Sequence, residues 1–121
     1  MMKLALFDQK WLVWQKGRQQ SGYDKLLLAY IPMGIKVDLF LLRFPIGSEI
    51  PPHRDIVKAG RHFRLNIIIK KSKKGGEFIC EKPILNLDRI KLFRSDVYTH
   101  SVTKVSGSAR YVLSVGWILA A

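Results

Sequence analysis

Three side chains in this 121-residue sequence have the types and the spacing to hold one metal ion. His53 and Asp55 stand two residues apart, and in an extended segment that spacing turns both side chains to one face. His100 lies in the run Val97-Tyr98-Thr99-His100-Ser101-Val102, after the polar turn Ser95-Asp96. Two imidazoles and a carboxylate form the facial triad that leaves three positions open on non-haem iron(II). A His-x-Asp pair arises often by chance, so the set needs independent support. Arg110 supplies it, ten residues after His100 on an otherwise apolar strand with Tyr111, Val112, Leu113 and Val115. A guanidinium in such a strand is costly to bury without an anion, and its planar fork suits a carboxylate. The Ser106-Gly107-Ser108 turn predicts that this strand pairs back against the one carrying His100.

The elements that must position these residues read as strands. Ile35 to Phe44 is rich in branched and aromatic residues. Arg61 to Lys70 alternates, with Phe63, Leu65, Ile67 and Ile69 on one face and His62, Arg64, Asn66 and Ile68 on the other. Glu77 to Cys80, Arg89 to Arg94, Val97 to Val105 and Ala109 to Leu119 follow as further strands. Asp24 to Ile31 fits a short helix or a strand, closed by Pro32 and Gly34. Leu4 to Trp14 holds two short apolar stretches, Lys16 to Gly22 is loop-like, and Lys70 to Gly76 is a turn. About eight strands with at most one or two short helices predict an all-β sandwich or barrel. Trp11, Trp14 and Trp117 are expected to anchor its core.

Length and composition suit one domain, residues 1–121. The lone Cys80 rules out an intramolecular disulfide and reads as a strand residue, not a nucleophile. Asp8 and Lys10 interrupt the apolar opening before it reaches the length of a secretion signal. No apolar run approaches membrane-spanning length, so a cytoplasmic address without membrane association is expected. Twenty-one Lys and Arg against nine Asp and Glu give a formal charge of +12, which favours polyanions, nucleic acid or an acidic protein, as partners. Lys58, Arg61, Lys70, Lys71, Lys73 and Lys74 are the candidate track for phosphates, against the plainer reading of a solvated turn.

His53-x-Asp55, Gly75-Gly76-Glu77-Phe78 and the block from His100 through Arg110 to Trp117 resemble the 2-oxoglutarate- and iron(II)-dependent dioxygenases. The resemblance covers roughly Ile35 to Leu119. It implies a double-stranded β-helix, or jelly roll, with iron on His53, Asp55 and His100. It also implies that Arg110 pairs with the far carboxylate of 2-oxoglutarate, with Ser114 on the same face. The layout is similar to the aspartyl/asparaginyl β-hydroxylase branch, in which an Arg-x-His pair helps hold the cosubstrate. Here Arg64-Leu65-Asn66 stands at that place, with Asn for His. Asp55 departs from that branch and is more like the prolyl-hydroxylase and nucleic-acid-demethylase branches. The implied activity is hydroxylation of a C–H bond of a protein side chain or nucleic acid, using O₂ and releasing succinate and CO₂. Two other classes compete: a non-catalytic, cupin-like metal-binding module, and a basic nucleic-acid-binding β-domain. Arg110 separates the first from the others, because neither alternative needs a buried Arg there.

Overall fold

In the computed structural model, residues 12–17, 21–33 and 35–120 are described, and they form twelve strands with no helix. Four strands are long: β2 (Asp24–Met33), β3 (Ile35–Phe44), β5 (Arg61–Lys70) and β12 (Arg110–Leu119). They carry the runs of branched and aromatic residues that suit a pleated surface. Asp24 to Ile31 is strand because β3 pairs with it from Asp24↔Arg43 to Met33↔Ile35. The short strands are β1 (Trp14–Lys16), β4 (Ile50–His53), β6 (Lys74–Gly75), β7 (Phe78–Cys80), β8 (Leu85–Asn86), β9 (Ile90–Arg94), β10 (His100–Val102) and β11 (Val105–Ser106). Leu4 to Trp11 of the first apolar stretch lies outside the described residues.

The strands make a seven-stranded sheet in the order β1-β2-β3-β12-β5-β9-β8, a three-stranded sheet β4-β10-β7 and a two-stranded ribbon β11-β6. A small core joins them: Tyr23, Phe44, Ile68, Val102, Val105 and Val112. Tyr23 stacks on Phe44 at 5.1 Å between ring centroids, and Phe93 lies against Phe78 at 4.7 Å.

Three expectations are corrected. Val97 to Val105 is not one strand. Thr103 breaks it, its hydroxyl accepting the Glu77 N–H at 2.9 Å and its own N–H donating to the Glu77 carbonyl. Nor does the Arg110 strand pair with the His100 strand. β12 lies between β3 and β5, whereas β10 lies between β4 and β7, so Arg110 and His100 belong to different sheets. The chain crosses between sheets through β11, which pairs with β6. Finally, the tryptophans do not anchor the core between the sheets. Trp14 is 38% exposed beneath the Arg43 guanidinium. Trp117 stacks on Phe63 at 5.8 Å on the other side of the large sheet. Trp11 is outside the described residues.

That last point reflects how the large sheet distributes its faces. On β12, Arg110, Val112, Ser114 and Gly116 are buried, and the alternate residues are half-buried. Leu113 stands beside Leu41 and Ile67, Val115 beside Leu39 and Leu65, and Trp117 beside Val37 and Phe63. The apolar side of β5 therefore joins a broad apolar outer face, and its mixed side, with His62, Arg64 and Asn66, turns inward.

Candidate metal centre and its cavity

Antiparallel pairing of β4 with β10 puts His53 directly opposite His100, with ring centroids 4.3 Å apart. Asp55 follows just past the end of β4. Its backbone N–H donates to the Ser95 carbonyl at 2.8 Å, which holds the loop beside both imidazoles. His53 Nε2 is 3.3 Å from Asp55 Oδ1 and His100 Nε2 is 3.5 Å from Asp55 Oδ2. One donor atom from each of the three lies within 4.8 Å of the others. The predicted triad is thus brought together.

The outer nitrogens set the tautomers. His53 Nδ1 is 2.8 Å from the Pro51 carbonyl, and His100 Nδ1 is 3.0 Å from the Tyr98 carbonyl. A carbonyl only accepts, so each Nδ1 carries the hydrogen and each Nε2 turns its lone pair toward Asp55. Backbone carbonyls commonly orient metal-binding histidines in this way. Burial acts to raise the Asp55 pKa, but the hydrogen bonds and charge of the His100 and His53 rings, when those rings are protonated, hold it well below the usual carboxylate range. Two imidazole lone pairs and a carboxylate cannot share this space without a positive charge between them. A proton on one ring meets that need in part; a divalent cation satisfies all three donors. The residues therefore fit a metal ion of the facial-triad type.

The triad opens into a cavity of ≈ 260 Å³ between the two sheets. Arg110, Arg64, Asn66 and Ser114 all line it, so every predicted cosubstrate residue reaches the same space. Their states differ. Arg110 is 3% exposed and has no hydrogen bond or ion pair among the described residues. Its guanidinium lies over the Phe44 ring, 4.8 Å from the centroid, and burial pushes its pKa down to about 10. Arg64 is satisfied already. Its Nη2 donates to both Asp38 oxygens at 2.8 and 3.0 Å, and its Nη1 donates to Ser114 Oγ at 2.8 Å. Ser114 Oγ in turn donates to Asn66 Oδ1 at 2.6 Å.

The sequence reads His62 as structural or exposed and does not mark Asp38 or Gly116, neither of which lines the cavity. His62 is 8% exposed and lines the cavity. Its Nε2 lies 3.3 Å from Arg64 Nη2, and its buried Nδ1 has no partner among the described residues. Asp38 reaches Arg64 across Gly116, where an added Cβ would lie 2.0 Å from Arg64 Nη2. The even-numbered alternation of β5 carried a signal for His62. Nothing local marked Asp38, because its partner comes from β5, with β12 lying between.

The candidate phosphate track does not hold together. Lys58 and Arg61 sit at the start of β5, and Lys70, Lys71, Lys73 and Lys74 lie at or beyond its end, about 30 Å away by strand geometry. Lys71 is paired with Asp88. Cys80 is half-buried on β7, and burial pushes its thiol pKa up, as suits an unreactive strand residue.

This arrangement is the double-stranded β-helix, or jelly roll, of cupin domains. Among solved structures the chain is similar to KdgF from Halomonas sp. (TM-score 0.59, 16% identity, 88% of this chain and 86% of that one). It is also similar to the cupin domain of Cnp3 from Schizosaccharomyces pombe (TM-score 0.61, 10% identity, 88% and 68%). A third is an RmlC-like cupin from Shewanella frigidimarina (TM-score 0.57, 13% identity, 88% and 84%). At such identities the likeness establishes the fold alone. No family model matches the sequence, and no curated protein does. Among the described residues no helix is long and apolar enough to cross a membrane.

Proposed function

We propose that this protein is an iron(II)- and 2-oxoglutarate-dependent dioxygenase that hydroxylates a C–H bond of a protein side chain or nucleic acid. The observation that carries the reading is Arg110, a buried guanidinium without a carboxylate partner, in the same cavity as the His-Asp-His cluster. A structural metal site has no use for that charge, whereas a dicarboxylic cosubstrate supplies the missing anion.

His53, Asp55 and His100 would hold the iron, which supplies oxygen activation when bound. The other roles belong to the chain. Arg110 binds the far carboxylate of 2-oxoglutarate. Ser114, fixed by Arg64 and Asn66, presents a hydroxyl of set orientation on the same wall. Arg64, neutralised by Asp38, shapes the cavity and leaves charge recognition to Arg110. Phe44, Phe78, Phe93 and Val112 exclude water from the cosubstrate. The cavity is slightly smaller than the roughly 300–1,000 Å³ of ordinary ligand sites. It suits a small acid, and a macromolecular substrate would present one group at its mouth.

The test is to titrate iron(II) under anaerobic conditions, then 2-oxoglutarate, and to measure succinate released on adding O₂. His100→Ala is expected to lose iron binding. Arg110→Ala is expected to keep iron and to weaken 2-oxoglutarate binding roughly 10²-fold, the scale for removing one partner of a buried charge pair. Unchanged cosubstrate affinity in Arg110→Ala would refute the assignment. Iron binding without cosubstrate binding or succinate would leave a non-catalytic metal-binding cupin module. Oligonucleotide binding with no metal affinity would leave a basic binding domain.

A further inference from the structure

Arg110 belongs to the walls of two cavities. The second, of ≈ 490 Å³, lies on the side of the β5–β6 connection, and Arg110 and Phe78 are the part of its wall shared by the metal cavity. Four lysines join Arg110 there: Lys71, Lys73, Lys74 and Lys91. Only two carboxylates, Glu77 and Asp88, line the same space, and Asp88 is taken by Lys71. Lys91 is half-buried, its ammonium held by Asn86 Oδ1 at 2.7 Å. Lys73 and Lys74 are exposed and have no ion pair among the described residues. Gly76 lets the turn close over the Arg110 stem: its φ is +64°, and an added Cβ would lie 2.9 Å from Arg110 Cδ.

We propose that this second cavity is a binding site for a phosphate group, with Arg110 at its inner end and Lys73 and Lys74 at its mouth. Several ammonium groups around one fork match a compact, highly charged anion with oxygens on all sides better than they match a planar carboxylate. The buried Arg110, with no anion of its own, gives the site a desolvated anchor that surface lysines lack. Because that one guanidinium serves both cavities, phosphate and the cosubstrate compete for it. This competition rests on the function proposed above; the phosphate site does not.

Inorganic phosphate and a phosphodiester are the two sources, and one experiment separates them. Metal-free full-length protein is titrated with inorganic phosphate, and in parallel with a short single-stranded oligonucleotide. Binding is followed by calorimetry and by the ¹⁵Nε resonance of Arg110. Saturable phosphate binding that moves this resonance, and weakens about tenfold in Lys73→Ala/Lys74→Ala, supports the site with free phosphate as ligand. Oligonucleotide binding alone, lost in the same variant but kept in Lys58→Ala/Arg61→Ala, supports it with a phosphodiester as ligand. No binding of either, an unmoved Arg110 resonance, or full affinity in the lysine variant overturns it. Phosphate that binds without weakening 2-oxoglutarate binding overturns the competition. Phosphate that binds where 2-oxoglutarate never does removes the oxygenase reading and leaves this site standing.

Discussion

At Gly116 a single added methyl group would strike an ion pair. Arg64 crosses β12 directly over it to reach Asp38, and the nearest atoms to an added Cβ are the guanidinium itself and an Asp38 oxygen 3.0 Å away. Gly116→Ala is expected to break the bidentate pair and leave two desolvated charges facing each other at the wrong distance. The expected loss is roughly 2–4 kcal/mol in urea unfolding. In the background of Arg64→Met most of that loss should disappear; additive penalties would mean the two residues are uncoupled. His62 gives a second prediction. Burial, then the neighbouring Arg64, lowers its pKa from the ordinary 6.5, while Asp55, Asp38 and Asp96 pull the other way. A group whose folded pKa is depressed binds more protons when unfolded, so stability falls as pH drops below about 6.5. His62→Gln should flatten that part of the profile in metal-free protein, and an unchanged slope would exclude the imidazole as its source.

At the scale of elements, the site depends on short strands held by their neighbours. β10 has three residues and carries His100 between β4 and β7. Phe93, 1% exposed, backs it, its ring 4.8 Å from the His100 ring. Phe93→Ala is expected to cost about 3–5 kcal/mol and, in the fraction that stays folded, to weaken metal binding by freeing the imidazole. Full metal affinity would show that strand pairing alone positions His100. The same contrast explains what could be read from the sequence. β3 and β5 have the expected bounds, the first because its run is rich in branched and aromatic residues and the second because it alternates. His53, Asp55, His100 and Arg110 were legible because their types are costly or rare in such places. The split of Val97 to Val105 was hidden, since Thr103 looks like any strand residue until Glu77 arrives from elsewhere in the chain. The direction of β5 was hidden too, because period-2 alternation names two faces without saying which is inside.

At the scale of the molecule, the acid limb of stability belongs to buried carboxylates in ion pairs. Asp24 is pulled down by Lys16 and Arg43 against its burial, and Asp96 by Arg94. Both stay ionised in the fold below the pH at which they protonate when unfolded. Their contribution is therefore complete above about pH 4 and fades as pH falls further. Asp24→Asn should lower stability at neutral pH and cost progressively less as pH falls below about 4; a loss that does not shrink with pH would exclude the ion pair as the cause.

The apolar outer face of the large sheet bears on how the protein behaves in bulk solution. Leu39, Leu41, Leu65, Leu113, Val115 and Trp117, each half-buried, stand side by side on that face of a molecule carrying +12 formal charge. Such a molecule is a charged colloid with one sticky side, kept dispersed by long-range repulsion. The repulsion reaches about 10 Å at 0.1 M salt and about 3 Å at 1 M. Adding salt, which usually calms basic proteins, should here draw molecules together through this face. Light scattering should rise with ionic strength, and Val115→Lys should suppress the rise. The same salt weakens any phosphate held by the lysines, so the buffer that suits one property works against the other.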